Sequence, residues 1–130
     1  MKRFILLLSI IALAFTLYAG KSNLHPGNDE ESRKKITNEI LNNLVSEKYD
    51  DVRKDFHSSL KAGLPAEKIA EVWKSTIDVN GPFEKVLSTT MATVQGFNQV
   101  KLRCKFKNEN ATLEATFTED DRVIGLYIKP

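Results

Sequence analysis

Val100-Lys101-Leu102-Arg103-Cys104-Lys105-Phe106-Lys107 puts an apolar residue at every even position and a basic one at every odd position. A period of two sorts side chains onto the two faces of a β-strand, one buried and one wet, and no helix separates these residues that way. Asn108-Glu109-Asn110 follows as a turn, because Asn tolerates positive φ and bonds its own backbone. Ala111-Thr112-Leu113-Glu114-Ala115-Thr116-Phe117-Thr118 then resumes the alternation and completes a hairpin. Glu119-Asp120-Asp121-Arg122 makes a second turn, and Val123-Ile124-Gly125-Leu126-Tyr127-Ile128 is a more apolar strand expected inside the sheet. The inward phase of this β-meander is Val100, Leu102, Cys104, Phe106, Leu113, Ala115, Phe117, Ile124, Leu126 and Ile128.

Upstream, the β-branched content of Lys85 to Val94 predicts a fourth strand. Leu87, Thr89, Met91 and Thr93 lie on one side of it and Val86, Ser88, Thr90, Ala92 and Val94 on the other, and both sides are moderately apolar. A strand covered on both faces, or one lining a cavity, has this pattern. Three helices are expected before it. The first, about 30 to 47, gathers Ile36, Ile40, Leu41, Leu44 and Val45 onto one stripe, with acidic residues at its start to complement the macrodipole. The second is capped by Asp50, repeats Val52, Phe56 and Leu60 at intervals of four, and stops at Gly63. The third begins at Pro65, turns Ile69, Val72, Trp73 and Ile77 inward, and ends at Asn80-Gly81-Pro82.

With 130 residues the chain has room for one domain, and the first 19 are not part of it. Lys2-Arg3 followed by the apolar run Phe4 to Ala19 and the small pair Ala19-Gly20 reads as a secretory signal peptide, short of the roughly 20 residues that span a bilayer. The division is thus 1–19 signal peptide, 20–28 tether and 29–130 a single domain. The expected location is secreted or periplasmic, with no membrane insertion once the segment is cleaved. An uncleaved membrane anchor is the alternative. Removing Lys2 and Arg3 leaves 17 basic residues against 17 acidic. The mature chain is neutral, which takes away the simplest argument for nucleic acid as partner. Cys104, the only cysteine, falls on the apolar phase of its strand and reads as a small buried hydrophobe.

Three helices followed by four antiparallel strands is the order of an α+β cone in which a curved sheet wraps its helices. The segment Leu60-Lys61-Ala62-Gly63-Leu64-Pro65-Ala66-Glu67-Lys68-Ile69 with Val72-Trp73, then Gly81-Pro82-Phe83, Val94-Gln95-Gly96-Phe97 and the ending Val123 to Pro130, resembles the bacterial domain of unknown function 3887. The resemblance implies a cone-like fold of the nuclear transport factor 2-like, cystatin-like superfamily. It also implies a domain that often accompanies an α/β-hydrolase. No Gly-x-Ser-x-Gly elbow occurs in the sequence, so that hydrolase chemistry is not inherited.

Few residues are suited to catalysis. The inward phase of the meander holds no acid, base or hydroxyl nucleophile, and a general base has to point inward with its pKa raised by burial. Asp51, Asp55 and His57 share a helix flank and are the base candidates of a second reading, a small-molecule isomerase or dehydratase of the cone superfamily. Two histidines and one cysteine make no recognisable tetrahedral metal set, and no cofactor motif is present. Trp73, Phe83, Thr89, Met91 and Tyr127 are the residues expected to line a cavity, if the cone holds one. Tyr49 and Tyr127 carry hydroxyls that either orient a ligand or bond a backbone carbonyl. Lys101, Arg103, Lys105 and Lys107 form a basic row that receives an acidic partner, or pairs with Glu114 and the threonines of the next strand. It lacks the interleaved aromatics of a nucleic-acid reader. The expected function is a non-catalytic binding or interaction domain for a small apolar ligand, a peptide or a protein, including homodimerisation through the sheet.

Overall fold

The alternating segments pair as consecutive antiparallel strands in the computed structural model, which describes residues 28–130. The elements are α1 (Asn28–Val45), α2 (Tyr49–Val52), α3 (Ser58–Gly63), α4 (Ala66–Asn80), β1 (Phe83–Val94), β2 (Phe97–Phe106), β3 (Asn110–Phe117) and β4 (Val123–Lys129). The expected leader and the tether up to residue 27 lie outside the described residues, and Asn28 opens α1. The sheet runs in the order β1-β2-β3-β4. It is open, so β1 and β4 are its edges.

The helices cover one side of this sheet. Ile40, Leu41 and Leu44 of α1, Val52, Phe56, Leu60, Leu64 and then Ile69 and Trp73 of α4 bury their apolar groups against the even positions of β2 and the odd positions of β3. The helices lie over β2, β3 and β4, whereas α4 reaches the sheet where Trp73 stacks on Phe106 at 5.8 Å and Phe106 meets Phe83 edge-on at 5.6 Å. These tilted geometries are the favoured ones for aromatic pairs.

Four expectations fail for a local reason, and a fifth, the inner place of the last strand, fails with the strand order. The second helix is two short ones, because its middle is drawn to the outer edge of β4. Phe56 bridges Val123 in parallel, the Val123 N–H donates to the Asp55 carbonyl at 2.9 Å, and the His57 N–H donates to the Val123 carbonyl at 2.8 Å. Val52, Phe56 and Leu60 are all buried as their spacing demands, but from three separate pieces of chain. The Arg53 guanidinium secures the break by donating to the Leu64 and Lys61 carbonyls at 3.0 and 2.8 Å. The last strand ends the sheet order and is therefore an edge and not an inner strand.

Ile124 is the second failure. Pairs Phe117↔Val123 and Thr116↔Gly125 leave Ile124 as an extra residue, so fully buried Val123 takes the inward place and Ile124 is half-buried. A β-bulge inverts the phase of whatever precedes it. Third, Val45 closes α1 largely exposed, since Glu47 at φ 61 turns the chain away from the core.

Fourth, β1 is mostly wet. Its register shifts between Phe83 and Lys85 and between Val86 and Ser88. The second shift brings Val86 onto the side of Thr89 and Met91, opposite Cys104, Leu102 and Val100. That side faces the helices, yet among the described residues no helix makes extensive contact with β1, and Thr89 is exposed and Met91 only half-buried.

Candidate functional site

Directly paired residues of antiparallel strands share a face, and the register therefore assigns every expected site residue to a side. Phe83 faces Phe106, Thr89 faces Leu102 and Met91 faces Val100, all on the helix side, where Trp73 also lies. Tyr127 faces Glu114, which faces Lys101, so it lies on the opposite, outer side. The five residues do not form one lining. Trp73 and Phe83 join through Phe106 in the core, Thr89 and Met91 lie on the uncovered strand, and Tyr127 is across the sheet. Tyr127 takes the outer face because it alternates with the buried Leu126 and Ile128.

The basic row divides as well. Lys101, Arg103 and Lys105 project from the outer face of β2, while Lys107 lies beyond the strand. Around them the outer face is built of rows: Thr90, Lys101, Glu114 and Tyr127 across the middle, then Ser88, Arg103, Thr112 and Lys129, then Lys85, Lys105 and Asn110. Arg103 donates to the Thr112 hydroxyl at 2.8 Å, Lys105 pairs with Glu84 at 3.2 Å, and Lys129 pairs with Glu114 at 3.3 Å. Lys129 also stands 5.4 Å from the Tyr127 ring centroid, in cation–π range. Glu114, expected to neutralise the row, is buried under its neighbours and its ion pair goes to Lys129. Lys101 forms no ion pair among the described residues. One row higher, Gln99 donates to the Thr116 hydroxyl at 3.0 Å, and Tyr127 lies across Gly125, where a Cβ would stand 3.1 Å from the ring.

The outer face thus carries Lys85, Lys101, Arg103, Lys105 and Lys129 against two carboxylates, Glu84 and Glu114. It holds excess positive charge in a chain whose charge is otherwise nearly balanced. Such a field attracts anions, and its exposed part is weakened by salt. The turn at the other end of the sheet, Glu119-Asp120-Asp121, is acidic, so the face has a polarity along the strands.

The candidate acid–base groups are dispersed. Asp51 is exposed in α2, the Asp55 carbonyl bonds β4, and His57 caps α3 by accepting from the Ser59 N–H at 3.1 Å. Cys104 is buried in the core, where burial pushes its thiol up to about 11 despite Arg103 and a backbone hydrogen bond at Leu113. A thiol held protonated is a poor nucleophile. The Tyr49 hydroxyl is enclosed and without a hydrogen-bond partner among the described residues, and burial followed by the Glu47 charge raises its pKa. Among the described residues no three His, Cys, Asp or Glu converge as a metal site, and no helix is long and apolar enough to cross a membrane.

Helices on one side of an open antiparallel sheet, with a polar and cationic face on the other, define an α+β domain. The family model for proteins of unknown function DUF3887 matches residues 37–126, and the chain belongs to that family. No curated protein matches it, and no solved structure does.

Proposed function

We propose that this chain is an exported, non-catalytic interaction domain that holds an acidic segment of a partner protein against the outer face of its sheet. The carrying observation is the contrast between the two faces. The helix side is filled by aromatic and aliphatic side chains, with Trp73, Phe106 and Leu102 packed into one cluster. The outer face is left uncovered by the described residues and displays cations at alternate residues of β2, at a spacing of roughly 6.6–6.8 Å set by the strand rise. Hydroxyls of Thr90, Thr112 and Thr116 lie between the charges and supply hydrogen bonds. On this reading the domain is a cone-like relative of the nuclear transport factor 2-like superfamily that works by binding, as an accessory domain does beside an enzyme.

The test is fluorescence anisotropy with a labelled polyglutamate peptide against the wild type and the Lys101→Glu and Arg103→Glu variants. Saturable binding that weakens with salt and falls at least about tenfold in each variant supports the reading. Equal binding by wild type and variants overturns it. N-terminal sequencing of the product recovered outside the cytoplasm checks export, with Gly20 as the expected first residue.

A further inference from the structure

Among the described residues nothing pairs with the edge of β1, and this edge points to a second copy of the chain. Every residue from 86 to 100 is uncharged, in a sequence with 28% charged residues. Exposed edge strands are ordinarily protected by charge, proline, bulges or a covering element, because their free N–H and C=O groups add any strand that approaches. β1 has bulges only in its first half, so Ser88–Val94 presents a regular, neutral ladder. Leu87 beside it and Val94 at its end are 46% and 41% exposed. The other edge is engaged at its start: Val123 of β4 has both backbone groups bonded by Asp55 and His57, and α3 lies against that strand.

We infer that two copies join β1 to β1, antiparallel, in a two-fold dimer centred on Met91. The identity of the occupant follows from three properties of the edge. A neutral strand meets its own copy without like-charge pairs. Two-fold pairing uses the β1 edge of both copies, so association closes at two and does not propagate. The regular segment pairs completely with itself when Ser88 faces Val94, Thr89 faces Thr93 and Met91 faces Met91. Among the described residues no helix makes extensive contact with β1. The inference is independent of the outer-face reading, since edge pairing leaves both faces as they are.

The test uses the full chain as its host processes it. Sedimentation equilibrium is expected to show a monomer–dimer equilibrium with a dissociation constant of roughly 10–300 μM, typical of a small interface. Met91→Lys and Met91→Glu each place like charges at the two-fold axis and are expected to be monomeric, with melting temperatures recorded alongside to show that each is folded. Mixing the two is expected to restore dimer. In a Cys104→Ala background, Met91→Cys is expected to form an interchain disulfide on mild oxidation, because facing residues lie about 4.5–5.5 Å apart at Cα. A wild type monomeric to about 1 mM overturns the proposal. So does a dimer that survives Met91→Lys, or one that cross-links through Lys101→Cys on the outer face and not through Met91→Cys.

Discussion

Asn80 holds Asn110 from the end of the preceding helix: its Nδ2 donates to the Asn110 carbonyl and to that of Glu109, both at 3.3 Å. Its own carbonyl accepts from the N–H groups of Asn108 and Glu109 at 2.7 and 3.3 Å. A single residue thus satisfies both ends of the β2–β3 turn and fixes α4 to the sheet. Gly81 makes the approach feasible, at φ 88 with Lys107 Cβ 2.9 Å from where its own Cβ would stand. Asn80→Asp replaces a donor with an acceptor facing two carbonyls and is expected to destabilise by about 2–3 kcal/mol, more than Asn80→Ala. Gly81→Ala is expected to cost at least about 2 kcal/mol through its left-handed backbone and the clash. Urea denaturation of the three variants checks both.

Trp73→Ala and Phe106→Ala each leave a large void where the two rings meet. Losses of about 3–5 kcal/mol are expected from each. Because the rings share a contact, the double variant should lose less than the two singles together. His57→Ala removes only the cap of a six-residue helix and should cost about 0.5–2 kcal/mol. Thermal melts of the set rank them.

Arg33 and Asp121 pair at 3.1 Å and join α1 to the β3–β4 turn. Arg33 is 7% exposed and its Nε has no acceptor among the described residues, so the guanidinium depends on this partner. Asp121→Asn keeps a residue that tolerates φ 60 and removes the charge. It should destabilise by about 1–3 kcal/mol, whereas Arg33→Leu with Asp121→Asn should recover part of the loss. A double-mutant cycle reads the coupling directly.

The Cys104 thiol, raised by burial to about 11 from 9.0, makes stability sensitive to base. The folded state retains a proton that the unfolded chain releases, so this contribution is complete below pH 9 and is lost as pH rises towards 11. Tyr49, raised from 10.0, acts in the same direction as pH rises past 10. Denaturation midpoints should fall across that window, less steeply for Cys104→Ala. A thiol reagent at neutral pH should modify Cys104 only as fast as the chain opens.

The sheet was legible because period-two alternation is a local property, and Val100 to Phe117 follows it through two strands without interruption. β1 was recognisable as a strand from its β-branched content, but its inward side was not, since a bulge at Leu87 changes side with no mark in the sequence. Phe56 illustrates the same limit from the helical side. Its four-residue spacing from Val52 and Leu60 announced burial, and only the demand of the β4 edge for a backbone partner took it out of a helix.

By itself, then, the order of residues determined which segments are strands, which side chains avoid water, and that Lys101, Arg103 and Lys105 share a wet face, because each depends on neighbours two to four positions away. Tertiary structure alone decided that Phe56 leaves its helix to bridge Val123, that β1 is mostly wet, and that Asn80 secures a turn some thirty residues on. Those outcomes depend on register and on which edge the helices reach, and register is set by contacts between segments far apart in the chain.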